Sequence, residues 1–556
     1  MTPAGPTLSR RAFAGGLAGL AFAGPLTGRA WAQAARSLEP AIAAIRAHAG
    51  AHKAMFNLPG MTVGLTAPGG FAATFDIGVA SLDGPRPIGP DTLFQIGSIS
   101  KLITALVIHQ LAAEGRFTLG ESVARLLPTV AIPTAITVQH LLDHRSGLPA
   151  DAPLFPEGAL WVGYEPGTHW SYSNTGYDIL GKLAEQAGGK PLARLVEERV
   201  LRPLGMERSR GAIVAAERIG YAQGYEAANN TIPYARGVPL APAAWVDVTF
   251  GAGNVASTAI DMNRLTAALA GAVAGGALPG LSTAQAAAYL NHAAPTDSAA
   301  MRYGNGLMHV TNGQRRYLHH TGGMVSFSSA FHLDKASGAA AFASTTLTGL
   351  AGYRPSGLTR FAVDALTEAM AGRPLPAPPR LDDRVTDPAS YVGIYSGPAG
   401  NFEVLSGGPL TISAGGRSAP LQPWGNNLFR TTHPDFARYT LLFERTGPRV
   451  TGASWGAAQF ARRGAPGPRG AASDPALAKL AGRYVNDSPW WGVLEIVERG
   501  GKLWIGTETP MVAIADGQWR IGDDRRSPER GRFADPIGDR PQTFYFSGEK
   551  FVRHDI

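Results

Sequence analysis

The spacing of apolar residues divides the chain at about residue 370. Before that point, strand-like alternation and helix-like periodicity both occur. The strand patterns lie near both ends of this part, at 61–65, 71–77, 326–333 and 339–345. Helix patterns lie between them, at 99–114 and 177–187, and the first is apolar around most of its circumference, which predicts burial on nearly all sides. We therefore predict an α+β domain over residues 33–372, with an antiparallel sheet assembled from both ends and flanked by helices.

The chain beyond residue 372 consists of strand and turn patterns that repeat. Residues 373–386 are rich in proline and have no packing pattern, which is typical of a linker. Short segments after the linker recur 87 to 92 residues later. The paired segments are 387–389 with 474–476, 402–412 with 494–505, and 460–462 with 551–553. We predict two copies of one β module, at 387–464 and 474–556, each a small antiparallel β-barrel.

The first 32 residues have the features of a bacterial export signal. Arg10 and Arg11 precede Phe13, an apolar stretch follows at 15–25, and an Ala-Trp-Ala sequence ends at Ala32. The arginine pair resembles the twin-arginine type, which exports folded proteins. The apolar stretch is too short to span a bilayer. We therefore predict a signal peptide over 1–32, a periplasmic or secreted location, and no integral membrane segment after signal removal.

Composition excludes several classes of function. The 556 residues contain no cysteine, which excludes disulfides, cysteine-ligated zinc, iron–sulfur clusters and a cysteine nucleophile. The net charge of +8 falls to +5 without the three arginines of the predicted signal. No run of five like charges occurs, so we interpret the basic excess as solvated surface charge and expect no nucleic-acid partner.

Ser98 and Lys101 are three residues apart at the start of the predicted 99–114 helix. This spacing puts both side chains on one helix face, one turn apart. A serine hydroxyl is a weak nucleophile until a base takes its proton, and a buried lysine kept neutral can be that base. Backbone N–H groups at a helix start can also stabilise an oxyanion. The pair is therefore chemically sufficient to begin acyl transfer.

Tyr172 and Asn174 form a second candidate group. A phenol near a lysine ammonium can have a lowered pKa and act as a base or proton relay. The asparagine amide can orient a substrate carbonyl. A third candidate group lies just ahead of a predicted strand, where a substrate backbone could lie along the strand edge. It consists of His320, Thr321, Gly322 and Gly323.

Each candidate also has a purely structural interpretation. Ser98 could cap a helix, Tyr172 could be a core aromatic, and His320 could be a turn histidine with satisfied hydrogen bonds. Similar short patterns recur in the predicted barrels in the opposite order along the chain. These recurrences lie at 445–447, 484–486 and 547–550.

Together with flanking segments, the candidate residues resemble the serine β-lactamase and penicillin-binding-protein superfamily. The resemblance covers about residues 60–370 and is strongest to the class C β-lactamase branch, which includes D-aminopeptidases and certain esterases. The matching segments are 92–101, the nucleophile segment; 140–149, the LLxHxSGL segment; 165–167 with 172–177, the tyrosine loop; 203–206; and 253–258.

The resemblance implies a role for each candidate residue. Ser98 would be acylated, and Lys101 and Tyr172 would share the proton transfers. Asn174 would contact the substrate amide, and backbone N–H groups of Ser98 and Gly323 would form the oxyanion hole. The remaining substrate-binding residues would be His320, Thr321 and Gly322. The resemblance implies neither a cofactor nor a metal ion.

One departure from the superfamily pattern bears on the substrate. Many members have lysine where this chain has His320, and that lysine binds the carboxylate of a β-lactam or of a peptide C-terminus. Histidine gives a weaker, pH-dependent charge. We therefore predict an exported serine hydrolase that cleaves an amide or peptide bond of a small substrate, D-residue-containing peptides included. The alternatives are a carboxylesterase or β-lactamase on the same site, or a non-catalytic sensor that binds peptidoglycan or β-lactams.

The two predicted barrels give the chain a layout that resembles three-domain D-aminopeptidases, in which one barrel reaches the active site. A barrel loop that gates the substrate is one hypothesis, and barrels that only pack or form a homodimer are the other. Trp490 and Trp491 form an aromatic pair in a turn. They could contact the substrate or belong to the local core.

Two further motifs point to other chemistry, and we reject both. Residues 452–456 satisfy G-x-S-x-G, but the nucleophile elbow needs a strand, a turn and a helix, whereas a strand pattern follows here. His140 and His144 have helical spacing without an evident third ligand, so we expect no metal site there.

Overall fold

The structure is a computed structural model that describes residues 28–155, 159–466 and 472–554. Most of the predicted signal peptide, residues 1–27, lies outside the described residues. Within these ranges, no helix has both the length and the apolar character needed to cross a membrane.

Strands from the two ends of the α+β domain pair in one antiparallel sheet. Numbered along the chain, the strands before residue 346 are β1 (Gly60–Ala67), β2 (Phe71–Gly78), β3 (Phe94–Gln95), β4 (Tyr225–Ala227), β5 (Leu240–Pro242), β6 (Ala256–Ser257), β7 (Ala294–Pro295), β8 (Met301–Gly304), β9 (Leu307–Asn312), β10 (Arg315–Gly323), β11 (Ser328–Asp334) and β12 (Ala340–Thr345). The sheet has the order β2-β1-β12-β11-β10-β9-β8-β7, with Met61 opposite Thr345. Two short pairs, β3–β6 and β4–β5, lie outside it.

Helices cover both faces of this sheet. They are α1 (Gly28–Phe56), α2 (Ser100–Ala113), α3 (Val123–Leu126), α4 (Val138–Leu142), α5 (Asn174–Gly188), α6 (Leu192–Val196), α7 (Ala259–Val273), α8 (Thr283–Asn291) and α9 (Ser356–Met370). Val63 on β1 belongs to a buried cluster with Ile45 of α1 and Phe361 of α9. The next residue, Gly64, faces Asn263 of α7. Because successive strand residues point to opposite faces, α7 covers the face opposite to α1 and α9.

Helix α2 is surrounded by the main helical core. Its buried residues include Leu102, Ile103 and Ala105, which point in different directions around the helix. The all-round apolar pattern of the sequence predicts this placement. The helix begins at Ser100, one residue later than predicted, because a 3₁₀ turn over Gly97–Ile99 leads into it.

The chain after the linker forms two closed eight-stranded antiparallel barrels. The first barrel contains β13 (Gly393–Gly397), β14 (Gly400–Ser406), β15 (Leu410–Ala414), β16 (Arg417–Gly425), β17 (Leu428–Thr431), β18 (Leu441–Thr446), β19 (Arg449–Trp455) and β20 (Ala458–Arg462). After α10 (Pro475–Ala478), the second barrel contains β21 (Gly482–Val485), β22 (Val493–Glu498), β23 (Leu503–Ile505), β24 (Thr509–Ala513), β25 (Gln518–Ile521), β26 (Arg530–Ile537), β27 (Arg540–Phe546) and β28 (Glu549–Arg553). The predicted fold class, an antiparallel sheet with helices followed by two barrels, is confirmed.

The first barrel contacts the α+β domain through the β16–β17 hairpin. The Gln422 side chain accepts a hydrogen bond from the Arg236 N–H at 2.7 Å and donates one to the Arg236 carbonyl at 2.9 Å. The Trp424 ring lies against Gly352, where a Cβ would be 1.7 Å from a ring carbon. Because Gly352 also has a positive φ of 76°, this contact requires glycine.

Candidate active site

Ser98 and Lys101 are brought together by the 3₁₀ turn that leads into α2. The Lys101 Nζ lies 3.0 Å from the Ser98 Oγ. Lys101 is fully buried and also donates to the Asn174 Oδ1 at 2.6 Å and to the Ala252 carbonyl at 2.8 Å. Burial lowers the pKa of Lys101 to about 7, and nearby acidic side chains oppose the shift. An amine with this pKa can accept and return protons near neutral pH.

Two glycines allow the Ser98 turn to contact the end of β10. Gly97 has a positive φ of 56°, and a Cβ there would lie 2.8 Å from the Gly323 nitrogen. A Cβ on Gly322 would lie 1.9 Å from the Ile96 carbonyl oxygen. Side chains cannot be accommodated at these distances, so the two backbones approach each other only because both residues are glycine. The backbone of Ser98 therefore lies beside that of Gly323.

Tyr172 lies next to the cap of α5. The Ser173 hydroxyl caps that helix, which therefore begins at Asn174, three residues earlier than predicted. The Tyr172 ring is centred 4.9 Å from the Lys101 Nζ, and the Ser98 side chain lowers the pKa of the phenol against a larger opposing effect of burial. Burial raises the pKa of Tyr172 above its usual value of 10, whereas the sequence led us to expect that Lys101 would lower it. The phenol is therefore protonated at neutral pH and can donate a proton.

Asn174 connects Lys101 to a carboxylate that the sequence analysis did not identify. The Asn174 Nδ2 donates to the Asp151 Oδ1 at 2.7 Å, while its Oδ1 accepts from Lys101. The Asp151 side chain is accessible to solvent, yet desolvation by the surrounding protein raises its pKa. The carboxylate can therefore be reached from solvent beside Asn174, and we call the region around Ser98, Asn174 and Asp151 the cleft.

The candidate residues 320–323 form the last part of β10 and one edge of the cleft. Residues 320–323 pair with β11 on one side. On the other side, the register with β9 ends at His319, so no described strand pairs with β10 beyond that residue. An unpaired strand edge of this kind can hold an extended substrate through main-chain hydrogen bonds.

His320 does not supply the pH-dependent charge that the sequence led us to expect. The residue is only 1% exposed. Its Nδ1 donates to the Thr321 carbonyl at 2.6 Å, and its Nε2 accepts from the Tyr303 hydroxyl at 3.1 Å. Burial lowers the pKa of His320 to about 3. The imidazole is therefore uncharged at neutral pH and cannot attract a substrate carboxylate by charge.

Arg354 is a cation at the same strand end that sequence reasoning missed. Its guanidinium donates to the carbonyls of Gly349 and Tyr353 at 2.7 and 2.8 Å. A Cβ on Gly323 would lie 2.1 Å from the Arg354 Nη2, so the guanidinium covers the end of β10. Its positive charge lowers the pKa of Tyr172, but burial raises that pKa by more. No short motif connects Arg354 to the strand, and only the folded structure brings them together.

A loop of the second barrel, residues 522–529, lies against the α+β domain beside the site. The Glu529 Oε1 accepts from the Ala150 N–H at 2.8 Å. The Pro528 carbonyl accepts from the Trp161 Nε1 at 2.7 Å. Since Ala150 directly precedes the cleft carboxylate described above, the loop supports the segment that positions this carboxylate.

Trp490 and Trp491 pack in different places. Trp491 lies in the second barrel, with ring centroids 5.6 Å from Phe546 and 6.0 Å from Phe551. Trp490 packs against a cluster of the α+β domain that contains Met324, the residue that follows β10. Trp491 is therefore local core, whereas Trp490 joins the barrel to the domain near the strand end.

The residues of the two rejected motifs, 452–456 and His140 with His144, are held in structural contacts. Ser454 of the 452–456 segment is fully buried in β19, which pairs with strands on both sides and is followed by no helix. His140 and His144 each use Nδ1 to accept a hydrogen bond from a backbone N–H. Within the part of the chain that the structure describes, no group of three or more histidine or acidic side chains could hold a metal ion.

Comparisons with known proteins agree with the fold and with the superfamily resemblance. Residues 45–364 match the family model described as Beta-lactamase. A beta-lactamase from Pseudomonas fluorescens is 32% identical over 178 residues, 29% of this chain and 49% of that protein. Esterase EstB from Burkholderia gladioli is 32% identical over 161 residues, 23% of this chain and 41% of that protein. The chain thus spans about half the length of the curated relatives it matches.

A solved structure extends the likeness beyond the matched segment. The octameric penicillin-binding protein homologue from Pyrococcus abyssi is 21% identical, with a TM-score of 0.54 over 75% of this chain and 99% of that chain. At this identity the likeness concerns the fold alone. The superfamily resemblance drawn from the sequence motifs is confirmed by the family match.

Proposed function

The chain belongs to the Beta-lactamase family, and on this premise we propose that it is an exported serine hydrolase that acts through a Ser98 acyl-enzyme. We propose that it cleaves an amide or peptide bond of a small substrate, D-residue-containing peptides included. The observation that supports this most is the 3.0 Å contact between the buried Lys101 amine and the Ser98 Oγ. A buried amine with a pKa near 7 is a competent base for a serine nucleophile.

In the proposed acylation step, neutral Lys101 accepts the proton of Ser98 as the serine oxygen attacks the substrate carbonyl. Backbone N–H groups of Ser98 and Gly323 donate to the resulting oxyanion. Tyr172 then donates its proton to the leaving nitrogen, and the Lys101 ammonium returns a proton to the phenolate. The leaving group thus receives the Tyr172 proton, the Ser98 proton replaces it on the phenol, and both Lys101 and Tyr172 return to their starting states.

In the proposed deacylation step, water attacks the Ser98 ester, gives its proton to the Lys101 amine, and Ser98 recovers that proton as the acid leaves. The substrate would lie along the unpaired edge of 320–323, with its amide against Asn174. The accessible Asp151 carboxylate next to Asn174 favours a substrate that carries an amino group. This supports a short peptide or amino acid amide over a neutral ester.

A carboxylesterase is the second candidate, favoured by the similarity to the Burkholderia esterase. A β-lactamase would use the same residues, with the β-lactam amide as the cleaved bond. A non-catalytic sensor of peptidoglycan or β-lactams is disfavoured because Ser98, Lys101 and Tyr172 are all present and in contact.

The location and domain organisation belong to the same proposal. The signal peptide features of residues 1–32 support a periplasmic or secreted protein. We propose a hydrolase domain over 33–372, a linker over 373–386, and barrel modules over 387–464 and 474–556. In this organisation, the second barrel supports the cleft through the contacts of Glu529 and Trp490.

The first test is covalent labelling of Ser98. The protein is incubated with a fluorophosphonate or a fluorescent penicillin, beside Ser98→Ala, and the intact mass is measured. We expect one adduct that Ser98→Ala lacks, together with turnover of at least one substrate class among D- and L-amino acid amides, short peptides, nitrophenyl esters and nitrocefin. Stable labelling without any turnover would favour the sensor, and absence of any Ser98-dependent label or hydrolysis would refute the enzyme.

A further inference from the structure

We propose that Asp178 is a positioning residue for the reaction, which holds the peptide backbone that binds Lys101 and balances the charge of its buried ammonium. This inference rests on the proposed function, because it assigns Asp178 an effect on the proton transfers of Lys101. Asp178 lies outside the candidate motifs and touches neither Ser98 nor a substrate in the proposed mechanism.

Helix α5 presents two polar side chains to Lys101 from one face. Asn174 and Asp178 are four residues apart, which places them one above the other on the helix surface. Asn174 reaches Lys101 directly, with its Oδ1 2.6 Å from the amine. Asp178 reaches it through Ala252: the Asp178 Oδ1 accepts from the Ala252 N–H at 3.0 Å, and the Ala252 carbonyl accepts from Lys101 at 2.8 Å.

The backbone just before Ala252 is held by α5 on one side and α2 on the other. A Cβ on Gly251 would lie 2.4 Å from the Tyr177 carbonyl oxygen, so the turn is wedged against α5. The Thr104 hydroxyl donates to the Gly251 carbonyl at 2.8 Å from the side of α2. Asp178 is the group that fixes the next N–H, and it therefore helps to set the direction of the carbonyl that binds Lys101.

The charges around Lys101 make Asp178 the principal counter-charge. Desolvation lowers the pKa of Lys101, and Asp178 is the first of two carboxylates that act against it. The second, Asp151, is accessible to solvent, which weakens its effect. The other titratable groups facing Lys101 are uncharged at neutral pH, namely His144, His320, Tyr172 and Tyr177.

Asp178 is affected by Lys101 in return. Burial raises the pKa of Asp178, while its hydrogen bond from Ala252 and the charge of Lys101 hold it down. Each charge stabilises the other, so the carboxylate is ionised in the state in which Lys101 is an ammonium. The other charged groups that face it are Asp151 and Lys182, and Lys182 is paired with Glu185 at 2.9 Å on the helix surface. Removing the carboxylate charge of Asp178 would therefore make the Lys101 ammonium less stable and lower the pH at which the neutral base forms.

Asp178→Asn tests this with little structural change. Asparagine keeps an oxygen that accepts from the Ala252 N–H and removes only the charge. We expect the acid limb of the kcat/KM profile for a nitrophenyl ester to move to lower pH by about one unit, which is a common size for the loss of one close charge. Ser98 labelling by a fluorophosphonate should be retained. Glu185→Gln on the same helix is the matched control, and its acid limb should coincide with that of the wild type.

Two further variants separate charge from hydrogen bonding. Asp178→Ala loses both, so we expect a lower kcat than in Asp178→Asn together with the same shift of the limb. Asp178→Glu keeps the charge, so its limb should stay near that of the wild type even where kcat falls; it also serves if Asp178→Asn melts too early to assay. The inference would be overturned if the acid limb of Asp178→Asn coincided with that of the wild type. It would also be overturned if the limb of Asp178→Glu moved to lower pH as far as that of Asp178→Ala. In either case, labelling and turnover of the wild-type protein would leave the proposed function intact. A wild-type protein without Ser98 labelling would overturn both.

Discussion

Lys101 is a charged residue type held where solvent does not reach it. Three acceptors surround its amine, yet desolvation dominates and lowers its pKa to about 7. Lys550 follows Ser547 with the same spacing in the second barrel, but its side chain is exposed. Proton-accepting ability at neutral pH therefore follows from burial and not from the Ser-x-x-Lys pattern.

Lys101→Ala is expected to reduce nitrophenyl-ester hydrolysis by about 10²–10⁴-fold, the usual contribution of a general base. The variant should still fold, since the substitution removes a desolvated charge that lacks a direct ion pair. Rates and thermal unfolding are measured side by side, with Lys190→Ala at the surface as the control. Wild-type rates in Lys101→Ala would refute its role as base.

For single residues, the sequence predicted which side chains meet better than it predicted whether they are charged. Three-residue spacing at a helix start was enough to predict that Ser98 and Lys101 meet. The charge of His320 depends on the Tyr303 hydroxyl and on burial under neighbouring segments, which no local pattern records. Asp178 lies on the predicted 177–187 helix, but its four-residue spacing from Asn174 became informative only because the helix begins earlier, at Asn174.

At the scale of elements, the 522–529 loop connects the second barrel to the cleft. Glu529 is its main polar contact, because one carboxylate oxygen accepts from Ala150 and the other accepts from the Ser547 hydroxyl. Burial raises the pKa of Glu529, and both hydrogen bonds oppose the rise. Glu529 therefore pairs with the Ala150 N–H at a place that is partly shielded from water. An unpaired N–H there would cost free energy.

Glu529→Ala is expected to destabilise the protein by about 1–3 kcal/mol, because the Ala150 N–H loses its acceptor. It should also raise KM for amine-bearing substrates, since the segment that carries Asp151 becomes less well held. Glu529→Gln keeps an acceptor for Ala150 and should differ little from the wild type in both respects. Denaturant unfolding and kcat/KM are the measurements, and equal stability of the Ala and Gln variants would contradict the role given to this contact.

Element types and the joining of strands from both ends of the domain followed from the sequence, whereas exact element starts and strand register did not. The apolar periods predicted α2 and the central part of α5, and the shifts at their starts come from the Gly97–Ile99 turn and the Ser173 cap. The repeat predicted two β modules. It also predicted that each module is a small barrel, but not which residues pair where the first and last strands close it, such as Tyr395 with Arg462, because alternation does not record register between distant strands.

At the scale of the whole molecule, stability should depend on pH through buried histidines. Burial lowers the pKa of His52 and His320 to about 3 and that of His319 to about 4, and it holds the pKa of His332 well below its usual 6.5. Below pH 6.5 the unfolded chain binds protons that the folded protein excludes, so stability that is complete above pH 6.5 is lost as the pH falls towards 4. Each histidine contributes at most about 1.4 kcal/mol per pH unit.

Urea unfolding at pH 7.5, 6.5 and 5.5 checks this expectation. We expect little change between the first two values and a loss on the order of a few kcal/mol at the third. His52→Gln removes one of the buried imidazoles and should reduce the slope between pH 6.5 and 5.5. Stability that stays constant down to pH 5.5 would contradict the expectation.

The order of the parts along the chain could be predicted, but not their contacts. A change of composition at residue 372 and the later repeat predicted a domain followed by two modules. The contacts between them involve single residues on loops, such as Trp424 on Gly352 and Pro528 on Trp161. Such contacts carry no periodicity, and their residue types are common in any loop.

The contact of Trp424 with Gly352 also bears on the order of synthesis. The strands of the main sheet all precede residue 346, so the α+β domain can assemble while the ribosome is still making the barrels. During that time Gly352 is uncovered, and the Ala150 N–H lacks the acceptor that Glu529 later supplies. We therefore expect the cleft to gain its final shape only after the second barrel has been translated, so that synthesis of this barrel, and not the emergence of Ser98, would set when the protein becomes active.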